Sequence, residues 1–170
     1  MAQLDLRQDF EEVLAFVRER VRSFNPKTND GPGKGKLVAR IDVGYQCDQA
    51  GWVALIFDTR AKAEPDGSWN SHITANTLER PDWLSAFETL GEKGITIVLS
   101  DAKEKKLRKE SFDQLTTILG ELLRDVLIRA RADGVFADLP KAARCEMGVE
   151  EHDGAYGWPV YEKRELGLVG

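Results

Sequence analysis

Two cysteines, two histidines and two methionines are all that 170 residues provide for soft-metal or thiol chemistry. Cys47 and Cys145 are too few to staple a secreted scaffold. A zinc centre needs imidazole or thiolate ligands converging from separated positions, and His72 and His152 are the only imidazoles. No acidic run has the spacing of a calcium loop. Long apolar stretches are missing too: the longest, Trp52 to Phe57, is far too short to span a bilayer. The opening MAQLDLRQDFEE is charged from its fifth residue and has no apolar h-region. A cytoplasmic protein with reduced thiols, no metal, no cofactor and no membrane contact is expected. Positive charge is also in deficit. A formal net charge of -5 and a pI near 5.2 argue against nucleic acid as a partner.

What is present is the balance of a globular protein, 42% hydrophobic and 31% charged, long enough for one domain spanning 1–170. The widest apolar stripe runs from Phe112 to Asp133. Leu115, Leu119, Leu122, Leu123, Val126 and Leu127 recur at helical spacing, and Gly134 follows as a left-handed cap. The doubled positions make the stripe too wide for a single neighbour. The spacing therefore predicts a helix lying on a sheet while touching a second helix, the one predicted from about Leu4 to Phe24. Asn25-Pro26 ends that first helix, and 25–36 reads as a flexible connector.

Leu37 to Gln46 alternates as a strand with one buried face, and Trp52 to Thr59 is apolar on both faces, so a central strand in an antiparallel hairpin is expected. Asp66-Gly67 marks a turn into a third, edge strand over Ser68 to Asn76. Pro81 opens a helix carrying Trp83, Leu84, Phe87 and Leu90, and Ile95 to Leu99 is a β-branched strand. Asp101 with Glu104, and Ser111 with Gln114, have capping-box spacing, so Ala102 to Glu110 reads as a charged helical lead-in, either continuing into the main helix or separated from it by a bend. Pro140 is placed in a short helical turn. Cys145, Met147 and Val149 alternate with Glu146, Gly148 and Glu150 as a short strand, and 151–170 is an irregular tail. The order predicts an α+β fold: a mainly antiparallel sheet of about four to five strands on an N-terminal helix and the long helix near 112–133.

Candidate chemistry is thin. Gly31 to Lys36 (GPGKGK) imitates a phosphate loop, yet three residues rather than four separate Gly31 from Gly35, and Leu37 replaces the magnesium-binding hydroxyl. A connector is the better reading. Cys145 with Glu150, Glu151, His152 and Asp153 holds potential ligands, but a strand would split them between two faces. Cys145 with His72 or His152 as base lacks an activating setting. Asp42 and Asp58 lie in strands: Asp42 is expected to face solvent, while Asp58 needs Arg40 or Arg60 beside it. The cations Lys103, Lys105, Lys106, Arg108 and Lys109 read as a solvated helix face, with contact to an acidic partner second. Trp69, Tyr156, Trp158 and Tyr161 sit on turn-rich segments and are the candidate binding residues, since Trp and Tyr anchor interfaces. Their competing role is to seal the edge of the core. A non-enzymatic binding protein is the leading expectation. The alternative is a small hydrolase with a site around Asp58, His72 or Cys145 to Asp153.

The N-terminal helix, a meander ending in ITANTLERPDW, the long helix ending in ADGVFADLP and a tail with GAYGWP and YE together resemble small bacterial immunity proteins of polymorphic toxin systems. The resemblance covers most of the chain as an order of elements. It implies a cytoplasmic binder that occludes a toxin without catalysis, and it transfers no functional residue. A basic partner would then be drawn to the acidic surface.

Overall fold

Three segments with apolar residues at every third or fourth position fold as helices in the computed structural model, which describes residues 2–25, 37–59, 73–151 and 164–169. They are α1 (Arg7–Ser23), α2 (Pro81–Glu92) and α3 (Phe112–Ala132). The strands are β1 (Ala2–Asp5), β2 (Val38–Gln46), β3 (Trp52–Asp58), β4 (Ile73–Glu79), β5 (Ile95–Ser100), β6 (Lys103–Leu107), β7 (Lys141–Glu151) and β8 (Arg164–Leu168). The α+β class expected from the sequence is the one adopted.

A five-stranded sheet runs in the order β4-β3-β2-β7-β8. Its β2–β3 and β3–β4 pairs are antiparallel, as the turn signals predict, whereas β7 lies parallel to β2. Val38 N–H donates to the Pro140 carbonyl at 2.9 Å and sets the start of that parallel pair. A second, three-stranded sheet, β1-β5-β6, was not expected; it joins β1 parallel to β5 and folds β6 back antiparallel.

Helix α3 lies between the two expected neighbours, packing on α1 and on β7. Its Leu115, Leu119, Leu123, Val126, Leu127 and Ala130 are fully buried. The Tyr45 hydroxyl donates to the Thr116 carbonyl at 2.6 Å and ties β2 to the helix. The C-terminus closes as a Schellman motif. Val135 N–H donates to the Ala130 carbonyl at 3.0 Å and Gly134 N–H to that of Arg131 at 3.1 Å, with Gly134 at φ +71. Pro81 heads α2 as predicted, and Trp83 is buried edge-on against Tyr45, ring centroids 6.4 Å apart.

Six expectations are corrected. The first helix begins at Arg7, because Ala2–Asp5 pairs with β5 and Leu6 N–H donates to the Val98 carbonyl. Residues 103–107 form a strand, not a helical lead-in: Asp101 and Ala102 make a turn, and Leu107 pairs with Ile95. Tertiary pairing with a β-branched strand thus overrides the helix preference of Lys and Glu. Neither capping box forms, and Ser111 precedes α3 without a side-chain cap bond. Pro140 leads into β7 rather than a helical turn. The third strand, described over Ile73–Glu79, lies at the sheet edge as expected and runs on past Asn76, while the Asp66-Gly67 turn and 68–72 lie outside the described residues; the tail contains β8. The connector from 26 to 36 and the tail from 152 to 163 lie outside the described residues.

Candidate functional site

The β5–β6 hairpin, the start of α1 and one flank of α3 enclose an open groove of about 950 Å³. Sequence periodicity places each wall. Thr117, Ile118, Glu121, Leu122 and Asp125 follow one helical flank, just beside the buried stripe. Alternation along β6 turns Lys103 and Lys105 to the same side as buried Leu107, and both lysines line the groove. Its apolar surface comes from Phe10, Leu99, Ile118 and Leu122, each only partly buried against the core.

The charges around the groove fall into two kinds. Arg7 holds Asp5 through Nε at 2.9 Å and Asp101 through Nη1 at 2.7 Å, clamping the hairpin turn to the start of α1. The Arg7 hydrogen bonds pull the Asp5 carboxyl down to about 2. Arg124 pairs with Glu121 and, at 2.8 Å, with Asp125. Each cluster sets one arginine against two carboxylates, so its arginine is fully engaged and one negative charge is left in excess. Lys103 and Lys105, by contrast, form no ion pair with any described residue, so their charge is available to a ligand.

The outward face of the five-stranded sheet is polar but not open. Asp42, expected to face solvent, is 7% exposed, and Arg40 holds it through Nε at 2.7 Å and Nη2 at 2.7 Å. Both faces of β2 are therefore covered. Asp58 shares its face with Trp52 and Ile56 as expected, and its register partner on β2 is Arg40. At 2% exposure, Asp58 offers no accessible carboxylate for a substrate. Cys145 does point inward, with Met147 and Val149, while Glu146 and Glu150 lie half-buried on the opposite face. Burial pushes the Cys145 thiol up to about 11 and the Cys47 thiol to about 12, the opposite of an activated nucleophile. Among the described residues no cluster of His, Cys, Asp and Glu can hold a metal ion.

A third polar cluster joins α1 to α2. Arg80 bridges Asp9 at 3.1 Å and Glu12, and its N–H donates to the Gly51 carbonyl at 2.7 Å. Burial raises the Asp9 carboxyl above its ordinary value. Arg80 opposes that, and so does the Trp83 indole nearby, although its N–H has no hydrogen-bond partner of good geometry among the described residues. The hydrogen bond from Arg80 lowers Glu12. This cluster pins the β2–β3 turn to the head of α2, which is a structural task.

The four aromatics singled out from the sequence, Trp69, Tyr156, Trp158 and Tyr161, lie outside the described residues, as do His72, His152 and Asp153. Sequence reasoning missed the groove. Its available signal was the pair ITIVL and KEKKL around Asp101-Ala102, a hairpin pattern hidden by the helix-forming character of Lys and Glu. Among the described residues no helix is long and apolar enough to cross a membrane. No protein-family model, no curated protein and no solved structure matches the chain at a significant level.

Proposed function

We propose that this chain is a protein-binding protein whose partner sits in the groove between the β5–β6 hairpin and α3. The observation that supports this most is the groove surface itself. Partly exposed Phe10, Leu99, Ile118 and Leu122 lie among two arginine–carboxylate clusters, with Lys103 and Lys105, unpaired among the described residues, along the rim. Apolar contact area bordered by charge is the anatomy of an interface. The hydrolase alternative draws less support. Asp58 and Cys145 are 2% and 3% exposed, and the Cys145 thiol is held up at about 11.

The finer reading is a toxin-neutralising role of the immunity type. It draws on the order of elements and on the charge of -5, which would steer a basic partner toward the chain. Overall steering and local contact are separate matters: whichever segment enters the groove meets Lys103 and Lys105.

Site-directed photo-crosslinking in the source cell tests the groove. A photoreactive side chain at Ser100 or Thr117, both exposed and both lining the groove, captures the partner, and one at exposed Ala15 on α1 does not. Capture from Ala15 alone would refute the assignment. For the immunity reading, co-expression with the product of the adjacent gene should relieve that product's toxicity. Failure to relieve it would leave a binder of another kind.

A further inference from the structure

We infer that β6 is a receptor strand: an acidic, extended segment of the partner adds to its outer edge and sends alternate side chains into the groove. This inference rests on the groove being the binding surface and specifies what fills it. The three-stranded sheet has two edges. One, β1, packs against α2; the other, β6, pairs only with β5 among the described residues, and Lys103 to Lys106 are all exposed. An open strand edge presents unpaired N–H and C=O groups that favour an added strand. Lysines on an edge also deter indiscriminate pairing, and here they decide which strand is accepted.

The charge argument selects the occupant. Lys103, Lys105 and Lys106 against Glu104 give β6 a local positive excess inside a chain of net charge -5. A second copy is disfavoured, because antiparallel self-pairing centred on Lys105 sets two Lys105 side chains opposite each other. An acidic strand instead places carboxylates beside Lys103 and Lys105. A nucleic acid strand fits poorly: its charge repeats at every phosphate, while Asp101, Glu121 and Asp125 also border the groove. A peptide can confine its carboxylates to the alternate positions that face Lys103 and Lys105 in the groove and carry uncharged side chains on its other face.

The test uses fluorescent short peptides of alternating glutamate and valine, the lysine–valine counterpart, and an oligothymidylate of matching length, read by anisotropy at low salt. The glutamate peptide is expected to bind at least about tenfold tighter than the lysine peptide. The Lys103→Glu/Lys105→Glu double variant, altered only at exposed side chains, should reverse that order. Methylating alternate backbone nitrogens of the glutamate peptide, on the edge that would face β6, should abolish binding if a strand is added. Retained affinity after methylation would overturn the inference in favour of charge contact alone. Equal binding of oligothymidylate, or self-association that Lys105→Glu abolishes, would overturn it in favour of those occupants. If the partner crosslinks at Ser100 while charge reversal leaves its capture unchanged, this inference fails and the groove assignment stands. If the partner crosslinks only elsewhere, the groove assignment itself fails.

Discussion

Gly51→Ala should be more damaging than Gly134→Ala, although both glycines sit at nearly the same backbone angle, φ +65 and φ +71. An L-residue in the left-handed region costs about 1–2 kcal/mol in either place. The surroundings then separate the two. A Cβ on Gly134 meets nothing within 4 Å, whereas one on Gly51 would lie 2.2 Å from the Arg80 carbonyl oxygen. That oxygen accepts the Trp83 N–H at 3.0 Å at the head of α2, and Arg80 N–H donates to Gly51 itself at 2.7 Å. Backbone must move apart, and at least one of these bonds lengthens, adding about 0.5–1.5 kcal/mol. The total for Gly51→Ala is about 1.5–3.5 kcal/mol, against about 1–2 kcal/mol for Gly134→Ala. Urea unfolding read by tryptophan fluorescence measures both. With a slope of about 2–3 kcal/mol/M, Gly51→Ala lowers the midpoint by about 1 M and Gly134→Ala by about 0.6 M. Equal shifts would refute the claim that the β2–β3 turn is wedged against α2.

Three further perturbations have definite outcomes. Leu123→Ala, removing a fully buried side chain of α3, should cost about 2–5 kcal/mol, while Leu122→Ala, already half open to the groove, should cost about 1 kcal/mol by the same urea assay. Because burial raises Asp9 above its ordinary 3.8, the folded chain keeps that proton to higher pH than the unfolded chain, and stability from this group declines as pH rises through the raised value. Asp9→Asn should therefore gain stability relative to the parent as pH rises above about 4, where the unfolded carboxyl ionises; a flat or opposite difference would contradict the burial of the carboxyl. With thiols held at about 12 and about 11, Cys47 and Cys145 should react with Ellman's reagent at about pH 8 only after unfolding in guanidinium, and rapid titration of either in the folded chain would count against their burial.

Where one local signal dominated, the sequence read correctly. The α3 stripe, Pro81 at the head of α2, the hairpin around Asp48 to Gly51 and the inward Cys145-Met147-Val149 row all follow from period, turn chemistry or proline geometry. Non-local choices were not readable. Nothing in Lys141–Glu151 announces that it lies parallel to β2, since a parallel neighbour is set by which strand the chain returns to after α3. Four residues of β1 contain a single buried side chain, Leu4, and no alternation can be detected over so short a span. The polar residues of β2 predicted an exposed face. Arg40 and Asp42 instead satisfy each other, and a mutually bonded ion pair tolerates burial that either group alone would resist.

The groove was hidden for a more instructive reason. KEKK is rich in helix-forming residues, and Asp101 and Glu104 stand at capping-box spacing, so each local indicator favoured a helix over 102–110. Yet Leu107 is the only large apolar residue in that span, and a helix of nine residues with one bulky apolar position has no face to bury. A strand in the same place needs only its backbone bonds to β5 and a single anchor, with Leu107 opposite Ile95. The lysines can then remain in water. The physical test that decides the span is therefore what the segment could bury, not what its residues prefer. Applied to the sequence, that test would have moved Lys103 and Lys105 from a solvated helix onto a sheet edge, beside the flank of α3 that ends the buried stripe.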